Sequence, residues 1–123
     1  MKHIVLMLCL LTIVFPAAAA DSVNDTGTGI AEIKEMGLLN GQALACSRTE
    51  AVTRIKSTII KLAPKSRNYG EAFETATNDG YLAQARSGKA TCLDAAVFTV
   101  QIEEIARRLQ AALTVNSIEP GKP

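Results

Sequence analysis

Cys46 and Cys92 have the plainest chemistry in this sequence, because two thiols can form a bond, hold a metal or cycle between redox states. Their spacing selects among these. Neither belongs to a C-x-x-C pair, so a structural zinc site and a thioredoxin-like redox centre are both missing, and a disulfide closing the long loop between them is the expectation. A third cysteine, Cys9, sits inside an apolar run behind Met7 and Leu8, without the small residues of a lipoprotein cleavage site. The single histidine, His3, lies near the same terminus.

That terminus has its own reading. Lys2 and His3 give a basic start, Ile4 to Phe15 an apolar run, and Pro16 followed by Ala17, Ala18, Ala19 and Ala20 a cleavage region of small residues. These parts in this order predict a secretory signal peptide over 1–20. A helix of a dozen residues rises about 18 Å, short of the ~30 Å hydrocarbon core, so no membrane span is expected after cleavage. Removing 1–20 takes away Lys2, His3 and Cys9, and leaves twelve Lys+Arg against twelve Asp+Glu, no histidine and two cysteines. The expected location, periplasm or secreted, favours oxidation of that pair.

A chain without histidine has no Ser-His-Asp or Cys-His catalysis, no imidazole acid–base chemistry and no histidine-ligated zinc or haem. Phosphate-cradling G-x-x-x-x-G-K-[ST] and G-x-G-x-x-G motifs do not occur. Asp25-Thr26-Gly27 spells the triplet of aspartic proteases, but that chemistry needs a β-framework and a second carboxylate copy, so the triplet reads as coincidence. Asn24-Asp25-Thr26 is an N-glycosylation acceptor, expected to go unused behind a signal of bacterial type. Glu71 with Glu74 and Glu103 with Glu104 read as solvated faces, and no loop of alternating oxygen ligands offers calcium a site. The expectation is a protein that is not an enzyme and has no cofactor and no metal. Its near-zero net charge argues against nucleic acid as a partner.

The elements follow from apolar spacing. Asp21 to Gly29 is polar and glycine-rich, a flexible leader. Ile30, Ile33, Gly37, Gly41 and Leu44 mark one face of a helix ending near Cys46. Gly37-x-x-x-Gly41-x-x-x-Ala45 lines up small residues at a cost of roughly 0.5–1 kcal/mol per glycine, which predicts close helix contact or a break. Ser47-Arg-Thr-Glu50 reads as a capping box opening a second helix over about 48–63. Its stripe is Val52, Ile55, Ile59 and Leu62, and Pro64 ends it. Asn68 with Glu71 could cap a third helix carrying Tyr69, Phe73, Ala76, Gly80 and Ala83 to a Ser87-Gly88 stop. Asn78-Asp79-Gly80 could instead be a turn splitting it. Thr91-Cys-Leu-Asp94 repeats the capping logic before Phe98, Ile102, Ile105, Leu109 and Ala112, a fourth helix over about 92–113. Residues 114–123 are expected to be a disordered tail.

No segment alternates with period two, so the fold class is all-α: a small up-and-down bundle of three to four helices over 30–113, stapled by one disulfide. Short connections make the second and fourth helices run the same way, with their starts together where Cys46 and Cys92 stand.

Two surfaces then invite a partner. Arg54, Lys61 and Lys65 recur on the side of the second helix opposite its apolar stripe, either a solvated face or a contact for an anionic surface. Leu93, Val97 and Val100 project away from the main stripe of the fourth helix, either into the bundle or as a binding patch. The functional expectation is a small periplasmic or secreted helical interaction protein, an accessory, inhibitor or immunity-type module with an envelope or secreted protein as partner. In layout the chain resembles the periplasmic acid-stress chaperones: signal peptide, about a hundred further residues, all-α, one disulfide between cysteines 46 positions apart. That resemblance implies an alternative, in which acid protonates the carboxylates, positive charges repel and apolar surface opens to client proteins.

Overall fold

The computed structural model describes residues 27–118, and each expected helix is present: α1 Ile30–Ala45, α2 Thr49–Leu62, α3 Arg67–Ser87 and α4 Ala95–Ile118, with a short 3-10 turn over Lys89–Thr91. No strand occurs among the described residues. The expected signal peptide, leader residues 21–26 and residues 119–123 lie outside them. Cys46 and Cys92 are bonded, with Cα atoms 5.8 Å apart, so the all-α class and the staple both hold.

The helix ends are set differently from the capping boxes read in the sequence. Ser47 caps nothing; it takes a left-handed conformation at φ 55° and closes α1. Its N–H donates to Leu44 O at 3.1 Å and the N–H of Arg48 to Ala43 O at 2.8 Å, the paired bonds of a left-handed helix stop. α2 then begins from Arg48 without a side-chain cap. The Thr91 hydroxyl donates to Gly88 O at 2.9 Å instead of capping, and α4 starts only at Ala95. Asn68 falls inside the first turn of α3, which begins from Ser66 and passes unbroken through Asn78-Asp79-Gly80. At the far end, α4 continues beyond the expected limit at 113 through Ile118, with the Thr114 hydroxyl donating back to Gln110 O at 2.7 Å. Nothing before Pro120 opposes a helix there. The last leader residues are seated as well: Tyr69 Oη donates to Thr28 O at 2.8 Å, and Gly29 is buried.

α1 is the axis of the bundle. One side of it, Met36, Leu39 and Ala43, packs with Val52 and Ile55 of α2 and with Phe98, Ile102 and Ile105 of α4. Nearer its start, Ile30 and Ile33 pack with Ala72 of α3 and Leu109 of α4. Its opposite side is cut back to glycine. A Cβ on Gly41 would stand 2.1 Å from Thr77 O, and one on Gly80 of α3 2.2 Å from Leu38 O, so the two backbones touch without side chains between them. Gly37-x-x-x-Gly41 on α1 meets Ala76-x-x-x-Gly80 on α3, and the close-contact alternative is the one realised.

Contacts climb both helices together, from Thr28 with Tyr69 to Gly41 with Tyr81, so α1 and α3 are parallel. α4 runs against α1, since Arg108 meets Glu35 while Gln101 lies beside Gln42. α2 and α4 share a direction, as expected. What differs is adjacency: α3 lies on α1 and barely approaches α2, although the two are joined by a short link. Among the described residues, two ion pairs tie α4 to its neighbours. Arg108 grips both carboxylate oxygens of Glu35 at 3.0 and 2.5 Å, and Arg54 of α2 meets Glu103 at 2.9 Å. Hydrogen bonding from Arg108 holds Glu35 below the ordinary value of 4.5, against a smaller opposing push from burial.

Gly41→Ala and Gly80→Ala each put a methyl into backbone, and each should lose roughly 1–3 kcal/mol or more in urea unfolding. Gly70→Ala, where a Cβ meets nothing within 4 Å, should instead gain about 0.4–1 kcal/mol. Because the Glu35 pKa is depressed in the fold, its contribution is complete above pH 4.5 and fades as pH falls through the lower folded value. Glu35→Gln should therefore melt slightly below the parent at neutral pH, and the two melting curves should converge in acid.

Candidate functional site

Glycine contact on one side of α3 leaves its other side without a neighbour. α3 is drawn onto α1 while α2 packs on α1 and α4, so a trough of about 590 Å³ opens between α2 and α3. Its walls are apolar: Ile59 and Ile60 from α2, Phe73 and Tyr81 from α3, and Leu44 at the end of α1. Ile60 is 67% exposed, Tyr81 45% and Leu44 41%, unusual for large apolar side chains gathered in one place. The trough continues over Ala63, Pro64 and Tyr69 toward the α2–α3 link, where Pro64 has stopped α2.

Charge on the rim is uneven. Lys56 stands on the α2 edge, and Lys65 and Arg67 stand at the Pro64 end, where Lys65 Nζ also donates to Ile60 O and so caps the last turn of α2. Glu74 faces them from α3.

The floor holds the least expected group. Asn40 lies on α1 between Gly37 and Gly41 and is 1% exposed. Its Nδ2 donates to Thr77 Oγ1 at 3.3 Å, but its Oδ1 has no partner. A buried acceptor left unpaired costs about 1–3 kcal/mol, a penalty that an apolar residue of similar size would not incur.

The residues expected to bind partners do not share one surface. Arg54 is engaged by Glu103, Lys61 is exposed but lines none of the trough, and only Lys65 reaches it. Leu93 packs against the main core, whereas Val97 and Val100, 40% and 62% exposed, stay on the outer face of α4. Leu44, expected in the buried stripe of α1, is instead on the trough wall. Lys56, Ile60 and Asn40 were missed. An asparagine standing between Gly37 and Gly41, on the small-residue side of the helix, was the signal available for the last of these.

A second cleft, of about 400 Å³, lies between the starts of α2 and α4 and carries Arg48, Glu50 and Arg54. Its charges are mixed and Arg54 is already paired, so it offers an anion little. Among the described residues no three His, Cys, Asp or Glu side chains gather as a metal site, and no helix is long and apolar enough to cross a membrane. What the arrangement can do is dock an apolar surface and orient it by charge. Comparison with protein-family models, curated proteins and solved structures returns no match for this chain.

Proposed function

We propose that the chain is a small exported, non-catalytic interaction module that seats an envelope or secreted protein in the trough between α2 and α3. The observation that carries this reading is the cluster of Ile60, Tyr81 and Leu44, exposed side by side around a buried asparagine with an unpaired oxygen. Apolar side chains scattered singly are ordinary on a surface, but a gathered patch with a polar rim is the usual form of a docking site. Export is supported by the signal-type start at 1–20 and by the Cys46–Cys92 bond, which belongs in an oxidising compartment. The partner is held by shape and charge, with no bond made or broken.

A photo-cross-linking residue placed at position 60 in cells that export the protein should give an adduct of one defined mass. The same residue at position 100, on the outer face of α4, should give none. Equal yields at the two positions, or no adduct at either, would remove this reading.

One observation favours the acid-opening alternative: both ion pairs that tie α4 to its neighbours, Glu35–Arg108 and Arg54–Glu103, rest on carboxylates. On that reading, helicity should persist while an apolar dye begins to bind between about pH 4 and pH 2, as the carboxylates are protonated. Dye binding that stays flat over this range would exclude it.

A further inference from the structure

We infer that the occupant of the trough is a single amphipathic helix of the partner, with acidic side chains on the flank beside α2. This rests on the reading of the chain as a binding module and names the chemistry of what it binds.

Length and shape come first. The trough follows α3 from Tyr69 to Tyr81, a run of about 18 Å at helical rise, which matches three to four turns of a helix. Its two walls are themselves helices, α2 and α3, whose apolar side chains face the gap. A third helix laid between them restores the ridge-and-groove packing that α3 gave up when it moved onto α1. The trough is open along its length, as a docking groove is, rather than closed over like a tunnel for a single acyl chain.

Charge sets the polarity of the ligand. Lys56 on the α2 edge and Lys65 just past the end of α2 make a basic side, opposed by Glu74 on α3, while Arg67 adds positive charge at the start of α3. A helix with acids toward α2 pairs with the basic side, whereas one with lysines there meets like charge.

The test uses the purified exported chain with its disulfide intact and labelled helical peptides of about fourteen residues. One has a leucine stripe and Glu on one flank, and a second has Lys in place of the Glu. Fluorescence anisotropy should rank the Glu-flanked peptide about tenfold tighter than the other at low salt. Ile60→Glu, at an exposed position that should leave the fold intact, should abolish binding. Lys56→Glu should remove the preference for the acidic flank.

Equal affinity for the two flank charges, or binding indifferent to Ile60→Glu, would overturn the inference. So would the absence of binding by every peptide up to about 1 mM. Saturable binding of a single-chain lipid in place of the peptides, or a dimer abolished by Ile60→Glu in sedimentation, would assign the trough to another occupant and overturn it too. Each of these results leaves the module reading to the cross-linking at position 60, so the two can fail separately.

Discussion

The contact between the backbones of α1 and α3 is the constraint on which the rest of this structure depends. At Gly37, Gly41 and Gly80 there is no room even for a methyl group, so the two helices run together at a distance that ordinary side chains forbid. Glycine within a helix costs about 0.5–1 kcal/mol relative to alanine, and three such positions are tolerable only where packing returns more than they lose. Close parallel contact places α3 on the opposite side of α1 from the main core, away from α2. The trough is the geometric remainder of that choice. Asn40 and Thr77 meet at its floor because they stand beside the glycines on their own helices.

The disulfide does complementary work at the other end. Arg54–Glu103 and the shared apolar core give α2 and α4 a lateral contact, but the link from α1 to α2 is short and α2 starts without a side-chain cap. Joining Cys46 to Cys92 fixes the starts of both helices through a closed loop with 46 positions of separation, worth roughly 4 kcal/mol on the chain-entropy estimate. That is a large part of the ~5–15 kcal/mol available to a domain of this size. The loop it closes contains all of α3, the helix held mainly by glycine contact. The staple therefore limits how far α3 can wander before that contact forms.

Much of this was legible from spacing alone. The stripe of α4 from Phe98 to Leu109 is buried as its period requires, the pairing of Cys46 with Cys92 follows from their positions at two helix starts, and α2 ends at Pro64. The readings that failed did so for separate physical reasons. A helical wheel shows one buried face, but α1 is covered on two, so its apolar residues do not fall on one stripe; Met36, Leu39 and Ala43 were passed over, and Leu44 was placed inside. The basic ridge was drawn on α2 in isolation, where Arg54 looks free, because no spacing along α2 reveals that Glu103 of α4 stands opposite it. Ser47 misled for a local reason: the same residue that could cap the next helix was taken first by the stop of the previous one. The trough itself was invisible, since it depends on which pair of helices touches, and the small residues of α1 and α3 are separated by some forty positions of chain.

An open apolar trough invites collapse, and what prevents it bears on how it works. To close the gap, α3 would have to swing toward α2. That motion would pull Gly80 off Leu38 and Gly41 off Thr77, trading a backbone contact that tolerates almost no displacement for looser side-chain packing. α2 cannot move toward α3 either, being held to α4 by the core and at its start by the disulfide beside it. The walls are thus fixed before any ligand arrives. A rigid apolar site forfeits little to ordering when a partner enters, so affinity can come from a modest area. The same rigidity explains how an unpaired Asn40 can persist. In a softer protein the backbone would shift until the amide reached water or a second partner, whereas here the glycines on either side pin it in place.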